Sequence, residues 1–393
     1  MSLIASYKPY KLTDVIVASQ AKKFTVVSTF AGGGGSSTGY KLAGGHVLFA
    51  NEFVPAAVKT YLANYPDTPV LDDDIRKLAR DPSLLKRFGI KQFELDIFDG
   101  SPPCATHSPA AGRSKDYARL KSQVVKYSDV EQKNIEGLIF DYVEMAIMFQ
   151  PKVCVIENVP GITKADEFGK SMERLRRVGD SSRGYLIVHK ELNAADFGVP
   201  QSRNRLFVIC VRSDVAKAIG LDSEEKLQDI FPLPTSKRLT LLQALKGLKV
   251  YITEATKLKK RMLTAAAYPL IRALPHNPPK NTTINDIDPS WTSDFSWVRC
   301  SWDKPCPTIT QTGAQAVSRG GPIHPCEDRV FTLGELKRIF GMPDDFKLPG
   351  LRFEQKAERL GRMVAPLVMK ELSTSIYEKV LKPFGAKKTR ATR

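Results

Sequence analysis

A run of four glycines after a predicted strand constrains the fold of this chain more than any other feature. Residues 24–30 are rich in Phe, Val and Thr and predict a buried strand, and the glycines occupy 32–35. Ser36 and Ser37 follow, and serine is a favoured helix cap. Strand, glycine turn and helix open a βαβ unit whose backbone can approach a nucleotide-like ligand closely. A glycine run by itself could also be only a flexible turn.

The next two predicted strands end in acidic residues. Residues 46–50 precede Glu52 and Phe53, and an acidic residue about twenty positions past such glycines usually holds a ribose hydroxyl pair. Residues 70–71 precede three aspartates, of which Asp74 is placed to meet an adenine amino group. The three aspartates could equally form a solvated turn. These strands predict an α/β fold with a Rossmann-like, mainly parallel sheet.

A cysteine follows two prolines after the fourth predicted strand. The sequence Gly-Ser-Pro-Pro-Cys occupies 100–104, directly after an apolar run that includes Phe98. Because proline fixes φ and lacks an N–H group, the pair forms a stiff lead-in that ends the strand. Open α/β sheets keep their chemistry at this carboxyl edge, so Cys104 is a candidate nucleophile. The alternative is a small buried hydrophobic residue.

The segment after this cysteine is polar and basic. Residues 105–134 are typical of a mobile lid beside a reactive group, or of an ordinary surface loop. His107 lies in this segment and could form a Cys–His pair, although a carboxylate partner is available further along the chain.

Regular patterning returns beyond the predicted lid. A helix is predicted over 135–149, and a strand at 152–156 ends in Glu157 and Asn158. Two further strands are predicted at 185–188 and 206–211. The segment Gln-Ser-Arg-Asn-Arg at 201–205 is dense in planar hydrogen-bond donors that suit phosphates or base edges.

The charge of the chain indicates a polyanionic partner. Its 393 residues include 59 Lys and Arg against 42 Asp and Glu, a formal net charge of +17. Neutralising nucleic-acid phosphates is the usual use of such an excess, and a merely basic protein is the alternative. The six cysteines show no tight pairing, which favours a reducing compartment. With no membrane-length apolar run and no signal-peptide layout, a cytoplasmic location is expected.

The patterning divides the chain into four parts. Residues 1–211 are predicted to form the catalytic and cofactor-binding domain. The strand–helix rhythm fades over 212–328, which holds all three tryptophans and predicts a second, smaller domain. Residues 329–381 regain regularity and return to the catalytic domain, and 382–393 form a basic tail.

The strand ends combine a cofactor pocket with a thiol and a carboxylate, and methylation of carbon 5 of cytosine needs this set. That carbon is a poor nucleophile. A thiolate adds to carbon 6 while an acid protonates or hydrogen-bonds ring nitrogen 3. The ring then becomes an enamine-like nucleophile that takes a methyl group from a sulfonium donor. Cys104 is then the candidate nucleophile and Glu157 the candidate acid.

Short motifs along the chain follow one another in a recognisable order. They are Phe30 to Gly35, Glu52-Phe53, Asp74-Ile75, Pro103-Cys104, Glu157-Asn158-Val159, Gln201-x-Arg203-x-Arg205, Arg329 to Glu335, Gly341-Met342-Pro343 and Gly361 to Val364. In this order they resemble the DNA (cytosine-5)-methyltransferase family over nearly all of residues 24–381. The resemblance implies a class I methyltransferase fold in which residues 212–328 form a target recognition domain.

The resemblance also implies roles for individual residues. Cys104 would be the nucleophile, Glu157 the acid at ring nitrogen 3, and Asn158 would orient the site. Arg203 and Arg205 would hold and polarise a base flipped out of the duplex. The implied positions for S-adenosylmethionine are Phe30, Ala31, Gly32, Gly34, Gly35, Glu52, Phe53, Asp74, Ile75, Pro102, Leu138, Met363 and Val364.

The implied partner is double-stranded DNA, with a cognate restriction endonuclease in the same system as a further candidate. The protein is expected to act as a monomer in a prokaryotic cell or a phage-infected host. An RNA cytosine methyltransferase and a catalytically silent DNA-binding relative are the alternatives. The sequence does not reveal which DNA site is recognised.

Four positions depart from the family pattern. Ser28 stands where an aspartate often precedes the first motif, and Ala105 replaces a glutamine after the catalytic cysteine. Phe340 occupies a common glutamine position and Arg362 a common asparagine position. None of these changes removes a group that performs covalent chemistry, so activity is expected.

Three cysteines and a histidine near the end of the second domain are a candidate zinc site. They are Cys300, Cys306, His324 and Cys326. The spacing lacks the paired knuckles of zinc sites, so no metal is expected.

Overall fold

The computed structural model describes residues 7–103, 124–126, 131–133, 135–178, 184–235, 237–265, 268–291, 296–310, 320–350 and 352–391. The chain divides into two compact units. The sheet unit comprises Val15–Leu192, Asn204–Leu233 and the residues from Met369 onward. The insert unit comprises the residues up to Asp14, Asn193–Arg203 and Pro234–Val368.

Strands and helices alternate through the first half of the described chain. The strands are β1 Phe24–Thr29, β2 Gly45–Asn51, β3 Val70–Leu71, β4 Ile97–Gly100, β5 Val124–Lys126, β6 Glu131–Lys133, β7 Val153–Asn158, β8 Tyr185–Asn193, β9 Gln201–Ser202, β10 Asn204–Arg212, β11 Thr282–Thr283, β12 Trp297–Arg299, β13 Cys306–Pro307 and β14 Gly321–Ile323. The α-helices are α1 Leu12–Ser19, α2 Gly35–Leu42, α3 Pro55–Asn64, α4 Ile75–Leu78, α5 Ser83–Arg87, α6 Leu138–Phe149, α7 Asp166–Arg176, α8 Ser213–Ile219, α9 Glu224–Leu227, α10 Leu241–Leu245, α11 Ile252–Leu263, α12 Tyr268–Ala273, α13 Ile284–Ile287, α14 Leu333–Ile339, α15 Phe353–Arg362, α16 Pro366–Ile376 and α17 Lys382–Ala391. Among the described residues, no helix is long and apolar enough to cross a membrane.

The sheet unit is built on a seven-stranded sheet with the order β3-β2-β1-β4-β7-β10-β8. The strands from β3 to β7 pair in parallel, and β10 pairs antiparallel with β7. The predicted Rossmann-like, mainly parallel sheet is confirmed. Because the carboxyl ends of parallel strands meet at one edge, the ends of β1, β2, β4 and β7 come together there.

Aromatic side chains fill the core on the α6 side of this sheet. Phe49 stacks on Phe88 with ring centroids 4.2 Å apart, and Phe98 stacks on Tyr142 at 4.7 Å. The Tyr142 hydroxyl lies 3.0 Å from the carbonyl oxygen of Phe98 and 3.1 Å from that of Val155. A buried hydroxyl needs such partners, and here it joins β4 to β7.

The insert unit carries smaller sheets. One has the order β11-β12-β14, and another pairs β13 with β9. Its core includes Met262 from α11, Ile271 from α12 and Trp297 from β12. The fully buried Arg299 donates to the carbonyl oxygens of His324 and Ile271 at 3.0 and 3.2 Å. This arginine therefore links the backbone at Ile271 to the backbone at His324 and satisfies both buried carbonyl groups.

One local detail differs from the sequence analysis, and a second adds to it. The expected serine cap is wrong, because α2 begins at Gly35 and Gly34 is its N-terminal cap residue, with φ +99°. A β-carbon at Gly34 would also lie 3.2 Å from the rings of Tyr61 and Tyr65, so glycine suits this position. In addition, the expected basic tail is helical as far as Ala391.

The four predicted parts do not coincide with the two units. Residues 193–203 fall in the insert unit, and the segment 329–381 is divided between Val368 and Met369. The functional assignment of 212–328 to target recognition stays a prediction. Within the predicted lid the structure describes only β5 and β6, which pair antiparallel.

Candidate active site

The glycine turn that follows β1 has a backbone conformation that few residue types adopt. Phe30 has φ +50°, Gly32 has φ +55° and Gly34 has φ +99°. The turn is closed by a hydrogen bond of 2.9 Å from the Gly34 N–H to the carbonyl oxygen of Ala31. A bulky non-glycine residue at positive φ is strained, and such strain is found where the surrounding structure enforces it, often at functional sites.

Glu52 binds this turn to the end of β2. Its Oε2 accepts a hydrogen bond of 2.7 Å from the Gly32 N–H, and its Oε1 accepts one of 2.7 Å from the Val54 N–H. The carboxyl group is buried, and each oxygen can accept more than one hydrogen bond. Phe53, the next residue along the chain, is half-buried.

Asp74 follows the last residue of β3 by three positions and is the N-terminal cap residue of α4. Its carboxylate accepts a hydrogen bond of 3.0 Å from the Arg76 N–H. Asn51 at the end of β2 donates to the carbonyl oxygens of Leu71 and Asp73 at 2.9 and 2.8 Å. The Asn51 side chain therefore joins the two segments that carry the predicted adenine-side residues. Ile75 and Leu138 are buried in the core of the sheet unit.

The Pro-Pro lead-in is held by the end of β7. Asn158 Nδ2 donates a hydrogen bond of 2.9 Å to the carbonyl oxygen of Pro102, which precedes Cys104 by two residues. Asn158 Oδ1 also accepts from the Val159 N–H at 2.9 Å. Cys104 itself, with His107 and Ala105, lies outside the described residues.

Glu157 forms an ion pair with Arg205. Arg205 Nε lies 3.1 Å from Glu157 Oε1, and both side chains are largely buried. The pair follows from the antiparallel register of β7 and β10, in which Glu157 is opposite Phe207. Two members of the predicted catalytic set are therefore in direct contact at the edge that carries the Pro-Pro lead-in.

Arg203 has different partners within the insert unit. It donates to the carbonyl oxygens of Ile309 and Gly361, each at 3.1 Å, and its guanidinium lies 5.8 Å from the centroid of the Phe340 ring. These bonds fix the end of α15, beyond which Met363 and Val364 are buried. The described contacts of Arg203 are with protein backbone and an aromatic ring, and its predicted role toward a base stays a prediction.

The model of one protein family covers most of this arrangement. Residues 24–378 match the model of the C-5 cytosine-specific DNA methylases. The chain belongs to this family. The family recognised from the sequence motifs is confirmed, and with it a methyltransferase that acts on cytosine in DNA.

Individual relatives agree with the family match. The chain is 29% identical to the type II methyltransferase M.Sau96I of Staphylococcus aureus, over 87% of this chain and 74% of the relative. It is 28% identical to the type II methyltransferase M1.HphI of Haemophilus parahaemolyticus, over 91% and 87%. A solved structure described as a DNA modification methyltransferase encoded within a prophage of E. coli has the same fold, with a TM-score of 0.64 and 22% identity over 91% of this chain and 99% of that one.

One buried acid was missed by the sequence analysis. Asp99, the residue before Gly100 on β4, is 1% exposed and accepts hydrogen bonds from Ser28 Oγ at 2.8 Å and from the Tyr40 hydroxyl at 3.0 Å. Burial raises the pKa of Asp99 to about 7, against the lowering effect of these two donors. An aspartate inside an apolar strand, beside the cysteine motif, was the signal that could have identified it.

The candidate zinc residues make contacts in two pairs: the Cys306 thiol is hydrogen-bonded to Cys300, and the Cys326 N–H donates to His324 Nδ1 at 3.2 Å. Cys300 and Cys306 are buried thiols, whereas Cys326 is exposed and lies 3.2 Å from Trp302 Nε1. Across the described stretches, no group of three or more His, Cys, Asp and Glu side chains could hold a metal ion.

Proposed function

We propose that this protein transfers the methyl group of S-adenosylmethionine to carbon 5 of a cytosine in a specific sequence of duplex DNA, through a covalent adduct with Cys104. Family membership supports the reaction. The observation that carries the site assignment is the Glu157–Arg205 pair, which lies at the strand edge where Asn158 holds the Pro-Pro lead-in to Cys104.

The turn after β1 fits the cofactor. At Gly32 an added β-carbon would meet no atom within 4 Å, so the turn borders open space. Glu52 faces the same turn, and its oxygens can accept further hydrogen bonds from ribose hydroxyls. In this proposal Glu52 holds the ribose, Phe53 contacts the adenine ring and Asp74 its amino group. S-adenosylmethionine, when bound, supplies an electrophilic methyl group on a sulfonium centre.

The remaining predicted cofactor residues belong to the same proposal. They are Phe30, Ala31, Gly34, Gly35, Ile75, Pro102, Leu138, Met363 and Val364. Leu138 is completely buried in the core, so its contribution would be to the shape of the pocket wall rather than to a polar contact.

The chemistry at the base would run through three residues. The Cys104 thiolate forms a bond to carbon 6 of the flipped cytosine while Glu157 provides the proton at ring nitrogen 3. Arg205 Nε lies 3.1 Å from the Glu157 carboxyl group and orients it, and Glu157 takes up a proton before it donates that proton to ring nitrogen 3. Once carbon 5 has taken the methyl group, which would leave the donor sulfur as a neutral thioether, the carbon-5 proton leaves to a base and the bond from sulfur to carbon 6 breaks to release the thiolate. Ring nitrogen 3 then returns its proton to the Glu157 carboxylate.

The insert unit would supply DNA contacts. Its helix α11 carries Lys257, Lys259 and Lys260 as exposed side chains, and neutralised phosphates favour binding through counterion release. The relatives named as type II methyltransferases support a cognate restriction endonuclease as a partner of the system. A cytoplasmic location and a monomer are parts of the same proposal.

Bisulfite sequencing of a plasmid co-expressed with the protein tests this function. We expect protected cytosines in one short recurring context, and no protection with the Cys104→Ala variant. Conversion of every cytosine with the active chain would contradict DNA methylation under these conditions. The same test on cellular tRNA would then distinguish an RNA methyltransferase from a silent DNA-binding protein.

A covalent adduct gives a second, independent readout. Duplex DNA that carries 5-fluorocytosine at the protected position cannot lose the group on carbon 5, so the enzyme should remain attached to it. We expect a denaturant-resistant complex with the wild type and none with Cys104→Ala. Methylation without such a complex would contradict the covalent route while leaving the reaction itself intact.

A further inference from the structure

A carboxyl group lies in the middle of the seven-stranded sheet. Asp99 on β4 is in register with Ser28 on β1 and with Val155 on β7, so strands flank it on both sides. Placing an ionisable group in such an environment is costly unless it is hydrogen-bonded. Both of its oxygens have a donor, since Oδ2 accepts from Ser28 and Oδ1 from Tyr40.

The groups bonded to Asp99 lie on both sides of the glycine turn. Ser28 and Thr29 are the last residues of β1, and the Thr29 hydroxyl donates to the carbonyl oxygen of Asp99 at 2.9 Å. Tyr40 belongs to α2, the helix that follows the turn. One residue of β4 therefore binds the chain directly before and shortly after the turn.

The turn needs this support because it begins with a strained residue. Phe30 follows Thr29 at φ +50°, a conformation that bulky side chains rarely adopt. Strained backbone persists only where its neighbours over-determine it. Asp99 supplies that constraint at the two positions before Phe30, while Glu52 holds the turn itself through Gly32.

We propose that Asp99 is a positioning residue that holds the glycine turn in its cofactor-binding conformation. The inference rests on the proposed function, in which this turn binds S-adenosylmethionine. The Asp99 carboxyl group acts through Ser28 and Tyr40, whereas Thr29 binds the backbone carbonyl oxygen of Asp99 and keeps that bond in side-chain variants. Asp99 needs no contact of its own with the cofactor. Its loss should weaken cofactor binding and leave the chemistry at the base largely unchanged once cofactor is saturating.

The test measures S-adenosylmethionine binding by calorimetry, together with KM for the cofactor, kcat and the thermal midpoint. We expect Asp99→Ala to raise the dissociation constant about tenfold or more, because the buried hydroxyls of Ser28 and Tyr40 lose their hydrogen bonds to the carboxyl group. At saturating cofactor, kcat should stay within about threefold of the wild type, since the reacting groups are untouched. Ser28→Ala and Tyr40→Phe each remove one donor and should give smaller increases.

A transplanted carboxylate separates positioning from a general packing role. Because Ser28 and Asp99 are neighbours in register, Ser28→Asp/Asp99→Ser moves the acid to β1 and keeps a hydroxyl opposite it. We expect this double variant to bind the cofactor more tightly than Asp99→Ala. If Asp99→Ala fails to fold, the cofactor affinities of Asp99→Asn and Tyr40→Phe are compared with that of the wild type instead.

The outcomes separate the inference from the proposed function. Wild-type binding is measured first, and a wild type that binds no S-adenosylmethionine overturns both the proposed cofactor and this inference. If the wild type binds and all the variants bind equally well, with only their thermal midpoints lowered, Asp99 is a stability residue and the inference alone is overturned.

Discussion

Asp99 shows how one buried group links the stability of the sheet unit to pH. Burial raises its pKa from the ordinary value of 3.8 to about 7, and the negative charge of Glu157 acts in the same direction. Other titratable groups close to it are tyrosines whose pKa burial raises, namely Tyr40, Tyr61 and Tyr142. The folded state therefore binds a proton at Asp99 more tightly than the unfolded state does.

The sign of the pH dependence follows from this difference. The stabilising contribution is fully present below about pH 4 and is lost as the pH rises through about 7, at about 1.4 kcal/mol per pH unit in between. Asn at position 99 does not titrate. We therefore expect the thermal midpoint of Asp99→Asn to increase relative to that of the wild type as the pH is raised from 5.5 to 8. Asp222→Asn is the control, because Lys226 lowers the pKa of Asp222 and places its titration below this window. If the difference in thermal midpoint between the wild type and Asp99→Asn does not change with pH, the raised pKa of Asp99 is contradicted.

The proposed role of Glu157 as the acid can be tested by a single substitution. Glu157→Gln keeps the shape of the side chain but removes the proton donor at ring nitrogen 3, so we expect the single-turnover rate to fall about 100-fold or more. Cofactor affinity should stay near that of the wild type, because the described partner of Glu157 is Arg205 and not the glycine turn. Glu173→Gln, which removes a surface carboxylate paired with Arg177, is the matched control. A wild-type rate in Glu157→Gln would remove the residue from the mechanism.

At the scale of elements, β4 is packed closely against its neighbours at Gly100. A β-carbon there would lie 2.6 Å from Thr29 Oγ1 and 2.6 Å from the Tyr142 ring, both of which are buried. Only glycine fits between these groups, and Gly100 lies two residues before the first proline of the Pro-Pro lead-in. The close approach of β1, β4 and α6 is therefore a requirement of this strand end.

Gly100→Ala should consequently destabilise the sheet unit by about 1–3 kcal/mol through overpacking. Gly169→Ala is the opposite case, because Gly169 lies inside α7 with no atom within 4 Å of an added β-carbon. There we expect a gain of about 0.5–1 kcal/mol from helix propensity. Chemical unfolding followed by circular dichroism measures both, and equal effects of the two substitutions would contradict the close packing at Gly100.

The glycine turn and its acidic partner were predictable because both follow from local spacing. Strand, glycines and Glu52 lie within about thirty residues, and parallel pairing of β1 with β2 brings them together. The partnership of Ser28 with Asp99 was not predictable, since it depends on the register of strands separated by some seventy positions. Ser28 was recognised only as a departure from the family pattern, whereas the structure places a carboxylate against it from β4.

The contacts of the two motif arginines could not be predicted from the sequence for a similar reason. Arg203 and Arg205 are two residues apart, yet one binds carbonyl oxygens in the insert unit and the other binds Glu157 in the sheet unit. A short motif predicts which residues are needed, but the surrounding backbone determines which partners they have. Cys104, the residue most clearly indicated by sequence, lies outside the described residues, so its role depends on the chemical tests above.

At the scale of the whole molecule, the net charge of +17 makes DNA binding sensitive to salt. Lys257 and Lys260 are exposed on α11 and lie three residues apart on one helix face, so they can meet neighbouring phosphates. We expect Lys257→Gln/Lys260→Gln to reduce the slope of log binding constant against log salt by about 2, one unit for each lost phosphate contact. Lys226→Gln/Lys382→Gln, which removes two lysines already paired with Asp222 and Glu378, is the control and should leave the slope unchanged. Equal slopes for the wild type and the α11 variant, measured by titrating duplex DNA between about 50 and 200 mM salt, would exclude this helix face from the DNA interface.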